Sequence, residues 1–178
     1  MALPDYLKYE HGTAVIWGEN LATGVTKVFA FDALGIDTGK MGASADLGAT
    51  WDQEHYVQLI IETGTAPTAG GTVECWMACS YDNTTWPGQV TGSAGAWPTT
   101  GTAAAVKLQL EFVCQLVATN DANTIQKQAP VLWRPSGRYI APVIINRMSQ
   151  TVRDETTATD NDSRLIVVPV RSLIQDAA

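Results

Sequence analysis

Charge is what this sequence has least of. Only 16% of its 178 residues are Asp, Glu, Lys or Arg, against about a quarter in an ordinary globular chain. Cations are the scarcer kind: 11 Lys and Arg stand against 18 Asp and Glu, a formal net charge of -7. Binding to nucleic acid regardless of sequence runs on cations that neutralise phosphates, and docking on anionic lipid needs the same, so this balance argues against both. Histidine occurs only twice, as His11 and His55. A nucleophile needs a base beside it and a third group to orient that base. The chain has no G-x-S-x-G elbow and no phosphate-binding G-x-x-x-x-G-K-[ST] loop. A Cys114–His55 pair across a sheet is the one nucleophilic arrangement left. The three cysteines are an odd number and do not form a disulfide framework. Cys75 and Cys79 on one strand stand roughly 13 Å apart, beyond the ~7 Å Cα separation that a bridge tolerates. Buried thiols are expected. No apolar run approaches the ~18 residues of a membrane helix. The opening "MALPDYLKYEHG" lacks the basic and apolar regions of a secretory leader, so a soluble protein made in a cytoplasm is expected.

What is present is alternation. In "KLQLEFVCQLVAT", Leu108, Leu110, Phe112, Cys114 and Leu116 fall on one face, and Lys107, Gln109, Glu111 and Gln115 on the other. That is period two, a long half-buried strand. "TVECWMACS" sets Val73, Cys75, Met77 and Cys79 against Glu74 and Trp76, and "HYVQLIIE" sets Val57, Leu59 and Ile61 to one side. The turn-rich "TGTAPTAGG" between these two segments predicts an antiparallel pair, residues 56–62 and 72–80, joined by a long hairpin loop. Further strands are predicted over residues 13–17, 26–31, 124–133, 138–146 and 163–170. Pro142 and Pro169 cannot donate to a ladder, which predicts edge positions or bulges there. "VRSLIQD" predicts a short terminal turn. About eight strands and no convincing helix imply an all-β chain: an antiparallel β-sandwich, jelly-roll-like, or a barrel. Residues 1–12 are expected to be an extended N-terminal arm carrying Tyr6 and Tyr9, and residues 13–178 a single β-sandwich domain.

The segment around Glu54–Ser80 gathers a histidine, two cysteines and three glutamates, yet reads as sheet. A zinc site needs three or four ligands at a spacing such as Cys-x₂-Cys. Here Cys75 and Cys79 share the core face with Val73 and Met77. Paired carboxylates at ~5–9 Å hydrolyse glycosides, and Glu62, Glu74 and Glu111 would cluster if their strands were neighbours; solvated acids are the plainer reading. Asp154, Glu155, Asp160 and Asp162 in "DETTATDND" are hard oxygen donors of the kind calcium takes, at a spacing unlike an EF-hand. Six tryptophans are present. Trp86 and Trp97 lie in the long loop "SYDNTTWPGQVTGSAGAWPTTGTAAA", each followed by Pro. Three readings of these two rings stay open: a protein interface, packing back over the sandwich, or sugar binding. Met1 to Gln89 carries 11 acids and 3 bases, whereas all six arginines lie between Arg134 and Arg171. Head-to-tail contact between copies and chance scatter both account for that.

The segments "MGASADLGATWDQEHYVQLIIETGTAPTAGGTVECWMACSYDNTTWPG", "TGSAGAW", "KLQLEFVCQLVAT" and "GRYIAPVIINRMSQ" follow in an order that resembles small tailed-bacteriophage virion structural proteins of jelly-roll-like fold. The resemblance spans roughly residues 41–150 and rests on structural motifs; none of them is catalytic. It implies a virion component, a head decoration (cement) protein that stabilises the capsid by protein–protein contacts. Its partners would be copies of itself, with a trimer guessed, and major capsid or other virion proteins. The alternative is a carbohydrate- or receptor-binding module on the tail or head surface. No enzymatic activity, cofactor, metal, nucleic acid or membrane is expected. The residues expected at an interface are Tyr6, Tyr9, Trp86 and Trp97.

Overall fold

The computed structural model describes residues 6–18, 25–31, 34–51, 53–120, 125–153 and 163–175. It is an antiparallel β-sandwich. Among the described residues the strands are β1 (Tyr6–His11), β2 (Val15–Gly18), β3 (Lys27–Val28), β4 (Gly39–Met41), β5 (Ala45–Asp46), β6 (His55–Thr63), β7 (Thr72–Ser80), β8 (Gly95–Trp97), β9 (Glu111–Val117), β10 (Gln126–Lys127), β11 (Val131–Trp133), β12 (Tyr139–Arg147), β13 (Val152–Arg153) and β14 (Arg164–Gln175). One sheet has the order β10-β6-β14-β2-β3, with β11 and β13 also on β6 and β1 on β14; the other has the order β8-β4-β12-β7-β9, with β5 also on β12. There are more strands than the eight predicted because β1, β4, β5, β8 and β13 lie outside every predicted strand and one predicted strand is split in two. That one, residues 124–133, pairs with β6 only as β10 and β11.

The inner core lies between the sheets. Trp17, Phe29, Phe31, Leu59, Ile61, Met77, Ile140, Ile144 and Leu165 are fully buried there. The alternation of β6 and β7 is what sends Val57, Leu59, Ile61, Val73, Cys75 and Met77 inward. The predicted hairpin between these strands does not form. β6 pairs with β14, and β7 pairs with β12 and β9, so residues 64–71 arch from one sheet to the other. The turn residues were read correctly, but they close an arch. Each strand then finds its partners elsewhere in the chain, where a second apolar alternation is available to share the core.

Three further expectations change. Within the segment "VRSLIQD", Val170–Gln175 form no turn: they continue β14 and pair with β1, which sits in the predicted N-terminal arm. Both prolines lie in interior strands, yet neither breaks a ladder. The Gly42 N–H donates to the Pro142 carbonyl at 2.8 Å, in the gap between β4 and β5. The Gly12 N–H donates to the Pro169 carbonyl at 2.9 Å, in the gap between β1 and β2. A strand residue's N and C=O point the same way, so each proline nitrogen faces a gap where no donor is required. Finally, the predicted loop after β7 contains a short helix, α1 (Ala103–Val106), followed by a 3-10 turn at Lys107–Gln109.

That loop forms a third layer. Val90, Trp97, Val106 and Leu110 pack on Met41, Ala78, Ala141, Val143 and Ile145, which point out of the six-stranded sheet on the side away from the inner core. β12 is accordingly apolar on both faces, as a strand covered on both sides must be.

Candidate functional site

The candidate catalytic groups do not converge. Glu62 lies in the eight-stranded sheet, while Glu74 and Glu111 lie in the other. Glu74 stands opposite Gln115, and Glu111 opposite Met77. Glu74 accepts hydrogen bonds from Trp76 Nε1 at 2.8 Å and Lys107 Nζ at 3.0 Å, with Arg147 Nε at 3.9 Å. Burial raises its pKa, but those bonds and the charges of Lys107 and Arg147 outweigh it and hold the carboxyl below its usual value. Glu111 accepts from Trp133 Nε1 at 3.0 Å and from the Ser136 hydroxyl. Both acids are occupied in bracing strands and loops.

His55 is buried. Its Nδ1 meets the Gln53 carbonyl at 2.8 Å, and its ring lies near Trp133. Desolvation lowers its pKa despite that carbonyl, so it is neutral at pH 7. The neighbour of Cys114 is Cys75, directly opposite on β7, and both thiols are buried. Cys79 is pushed up to about 12 by burial and by the Glu111 charge. Reactive thiols need the reverse environment. Among the described residues no group of three or more His, Cys, Asp and Glu side chains is placed to hold a metal ion, and no helix is long and apolar enough to cross a membrane. The candidate calcium donors Asp154, Glu155, Asp160 and Asp162 lie outside the described residues.

Of the four expected interface residues, Trp97 is misplaced. It is 2% exposed, and its Nε1 donates to the Gly88 carbonyl at 2.6 Å beneath the loop layer. Trp86 is half-buried against the same cluster, its Nε1 directed at the Asn83 carbonyl at 3.3 Å. The two rings therefore form no open stacking platform. They pack back over the sandwich because the outward face of the six-stranded sheet is itself apolar and needs a cover. Tyr6 and Tyr9 lie in β1, opposite Gln175 and Ser172; their side chains are outside the described residues.

The sequence reading missed the outer face of the eight-stranded sheet. Two cross-strand rows run over it. Leu132, Tyr56 and Val168 stand side by side on β11, β6 and β14. Gln58, Ile166 and Ile16 stand side by side on β6, β14 and β2. Leu132 is 50% exposed and Tyr56 39%, and the His11 ring lies 5.9 Å from that of Tyr56. The next row is Lys127, Ile60 and Arg164. None of these residues belongs to either core cluster. The signal was present in "HYVQLIIE", where Tyr56 and Ile60 interrupt the polar side of the alternation, and in "SRLIVVPV", where Ile166 and Val168 do the same.

A cleft of about 480 Å³ opens elsewhere, between Gly12–Val15 and Ala45–Gly48. Its one carboxylate, Asp46, is taken up by Arg138 in a two-pronged pair at 2.7 and 2.6 Å. No known family model matches the chain, and no curated protein matches it.

Proposed function

We propose that this chain is a structural protein of a bacteriophage particle, a decoration protein that docks on the capsid shell and stabilises it by protein–protein contact. The carrying observation is the contrast between the two outer faces. One is covered by the chain's own loop layer. The other carries Leu132, Tyr56, Val168, Ile166 and Ile16 in register with no described layer over it. A sheet face of this kind is an association surface. Burying it yields about 25 cal/mol per Å² before association costs, and many equivalent sites on a shell multiply a weak contact. The resemblance of residues 41–150 to phage virion proteins points the same way. So does the bracing role of Glu74 and Glu111, which leaves neither acid free for a reaction.

The test is composition and strength of purified particles. The protein is expected in stoichiometric amount, and particles lacking it are expected to burst at lower temperature. Leu132→Glu and Tyr56→Lys are expected to fold normally and to lose occupancy on the shell. Absence of the protein from particles, or full occupancy by both variants, would refute the proposal.

A further inference from the structure

We propose a second contact surface, independent of the first: the open edge of β9, which pairs antiparallel with β9 of a second copy about a twofold axis at Gln115. At seven residues β9 is longer than β3 with two, β8 with three and β10 with two, and slightly longer than β1, the six-residue strand that pairs only with β14. Long edges are normally guarded by Lys or Pro. "EFVCQLV" contains neither.

The hydrogen bonds show which way its backbone points. Ala118 donates to the Gly71 carbonyl at 2.7 Å and accepts from the Gly70 N–H at 3.0 Å, so Ala118 faces β7. By alternation Thr119, Val117 and Gln115 face the opposite, open side. Thr119 confirms it. Its N–H donates to Gln126 Oε1 at 3.0 Å and its carbonyl accepts from Gln126 Nε2 at 3.3 Å. A glutamine side chain thus caps the end of the open edge in the manner of a strand. Among the described residues no such cap meets Val117 or Gln115. At the other end the β7–β9 register shifts between Cys75 and Trp76, so that Cys114 and Phe112 meet successive β7 residues and Val113 is the extra one. Between bulge and cap, Gln115 and Val117 are the regular, unguarded part of the edge.

A row of alternating N–H and C=O groups is complemented by another strand. The second copy fits because the segment is self-complementary. About an axis at Gln115, the two Gln115 residues exchange both backbone bonds, Val117 falls opposite Val113, and the only charge, Glu111, falls opposite Thr119. No like charges meet. Val117 is 59% exposed and Phe112 50%, and beyond the capped end of the edge a groove of about 270 Å³ separates Leu116, Val117 and Thr119 from Ile125–Gln128 of the same chain. A second copy paired in this way makes one continuous sheet.

Sedimentation of the intact protein at tens of micromolar tests this. The expected species has twice the 19.1 kDa chain mass. Gln115→Pro removes an N–H that points away from β7, so the fold is retained while the central pair of bonds is lost. Val117→Lys places a charge on the edge without touching the backbone. Both variants are expected to keep the wild-type circular dichroism and to raise the dimer dissociation constant at least tenfold. A monomer at every concentration, a trimer, or a dissociation constant unchanged in Gln115→Pro would overturn the proposal. None of these outcomes depends on whether the chain belongs to a virion.

Discussion

Replacing Trp97 by alanine tests whether the loop layer is part of the folded core. Trp97 is 2% exposed, and its ring lies so close to β4 that a Cβ placed on Gly39 would stand 2.8 Å from Trp97 Cε3. Truncating a buried tryptophan costs about 3–5 kcal/mol. The Gly88 carbonyl also loses its donor, a further cost of about 1 kcal/mol. With a urea slope of about 2 kcal/mol per molar, the midpoint should fall by roughly 2–3 M. Trp97→Phe keeps most of the packing and loses the hydrogen bond, so a fall of about 0.5–1 M is expected. Leu108 belongs to the same segment but is 79% exposed. Leu108→Ala should stay within about 0.5 kcal/mol of the parent. The assay is urea unfolding followed by far-UV circular dichroism on all three variants. If Trp97→Ala moved the midpoint no further than Leu108→Ala does, the segment would be a loose loop and the three-layer description would fail.

Asn146 is fully buried and satisfied: its Nδ2 donates to the Leu34 and Gln150 carbonyls at 3.0 and 2.8 Å, and its Oδ1 accepts from Met148 N–H at 2.8 Å. Asn146→Leu strands three backbone groups at about 1–3 kcal/mol each, and calorimetry should show melting at least about 6–10 °C lower. The buried thiols of Cys75 and Cys114 should be inert to an aromatic disulfide reagent at pH 8 in the native protein, the half-buried Cys79, whose pKa is pushed up to about 12, should react slowly, and all three should react once it is denatured; rapid native labelling of Cys75 or Cys114 would contradict their burial. Glu74 has a folded pKa below its usual value, so its contribution is complete above the usual carboxylate range and is lost as pH falls through the lower folded value. Acid titration of stability should therefore be flatter in Glu74→Gln than in the parent, and identical acid limbs would show that the Lys107 and Arg147 contacts contribute nothing.

The fold class was legible because period-two alternation is a local signal. β7 occupies the residues read from the sequence, and β6 extends the predicted strand by one residue at each end. Pairing was not legible, because it is decided by segments far apart in the chain. The turn chemistry of residues 64–71 fits a hairpin and an arch equally well. Alternation itself failed in "KLQLEFVCQLV". Leu108 sits in a 3-10 turn and points to solvent, Leu110 enters the outer layer, and the bulge at Val113 turns Phe112 outward against Trp76, while Cys114 and Leu116 stay inside. One inserted residue exchanges the faces of everything before it, and nothing in the residue types marks where it falls. The candidate surface was hidden for a related reason. Leu132, Tyr56 and Val168 become a row only when three distant strands lie side by side.

The open face and the open edge are geometrically related. The face looks along the normal of the eight-stranded sheet, whereas the β9 edge looks sideways within the plane of the other sheet. The local dyad of an antiparallel strand pair runs perpendicular to the sheet. Two copies joined through β9 therefore turn their Leu132–Tyr56–Val168 rows toward the same side. A head-to-tail contact, pairing β9 with a different edge of the next copy, would leave an edge open to further addition. A twofold β9 contact uses up the edge in both partners and so closes on itself. The proposed dimer would be a bivalent unit whose two apolar faces could meet one surface together. If both proposed contacts form, the second face would dock at high effective concentration, and a modest apolar row on each copy would hold a surface far more tightly than either copy alone.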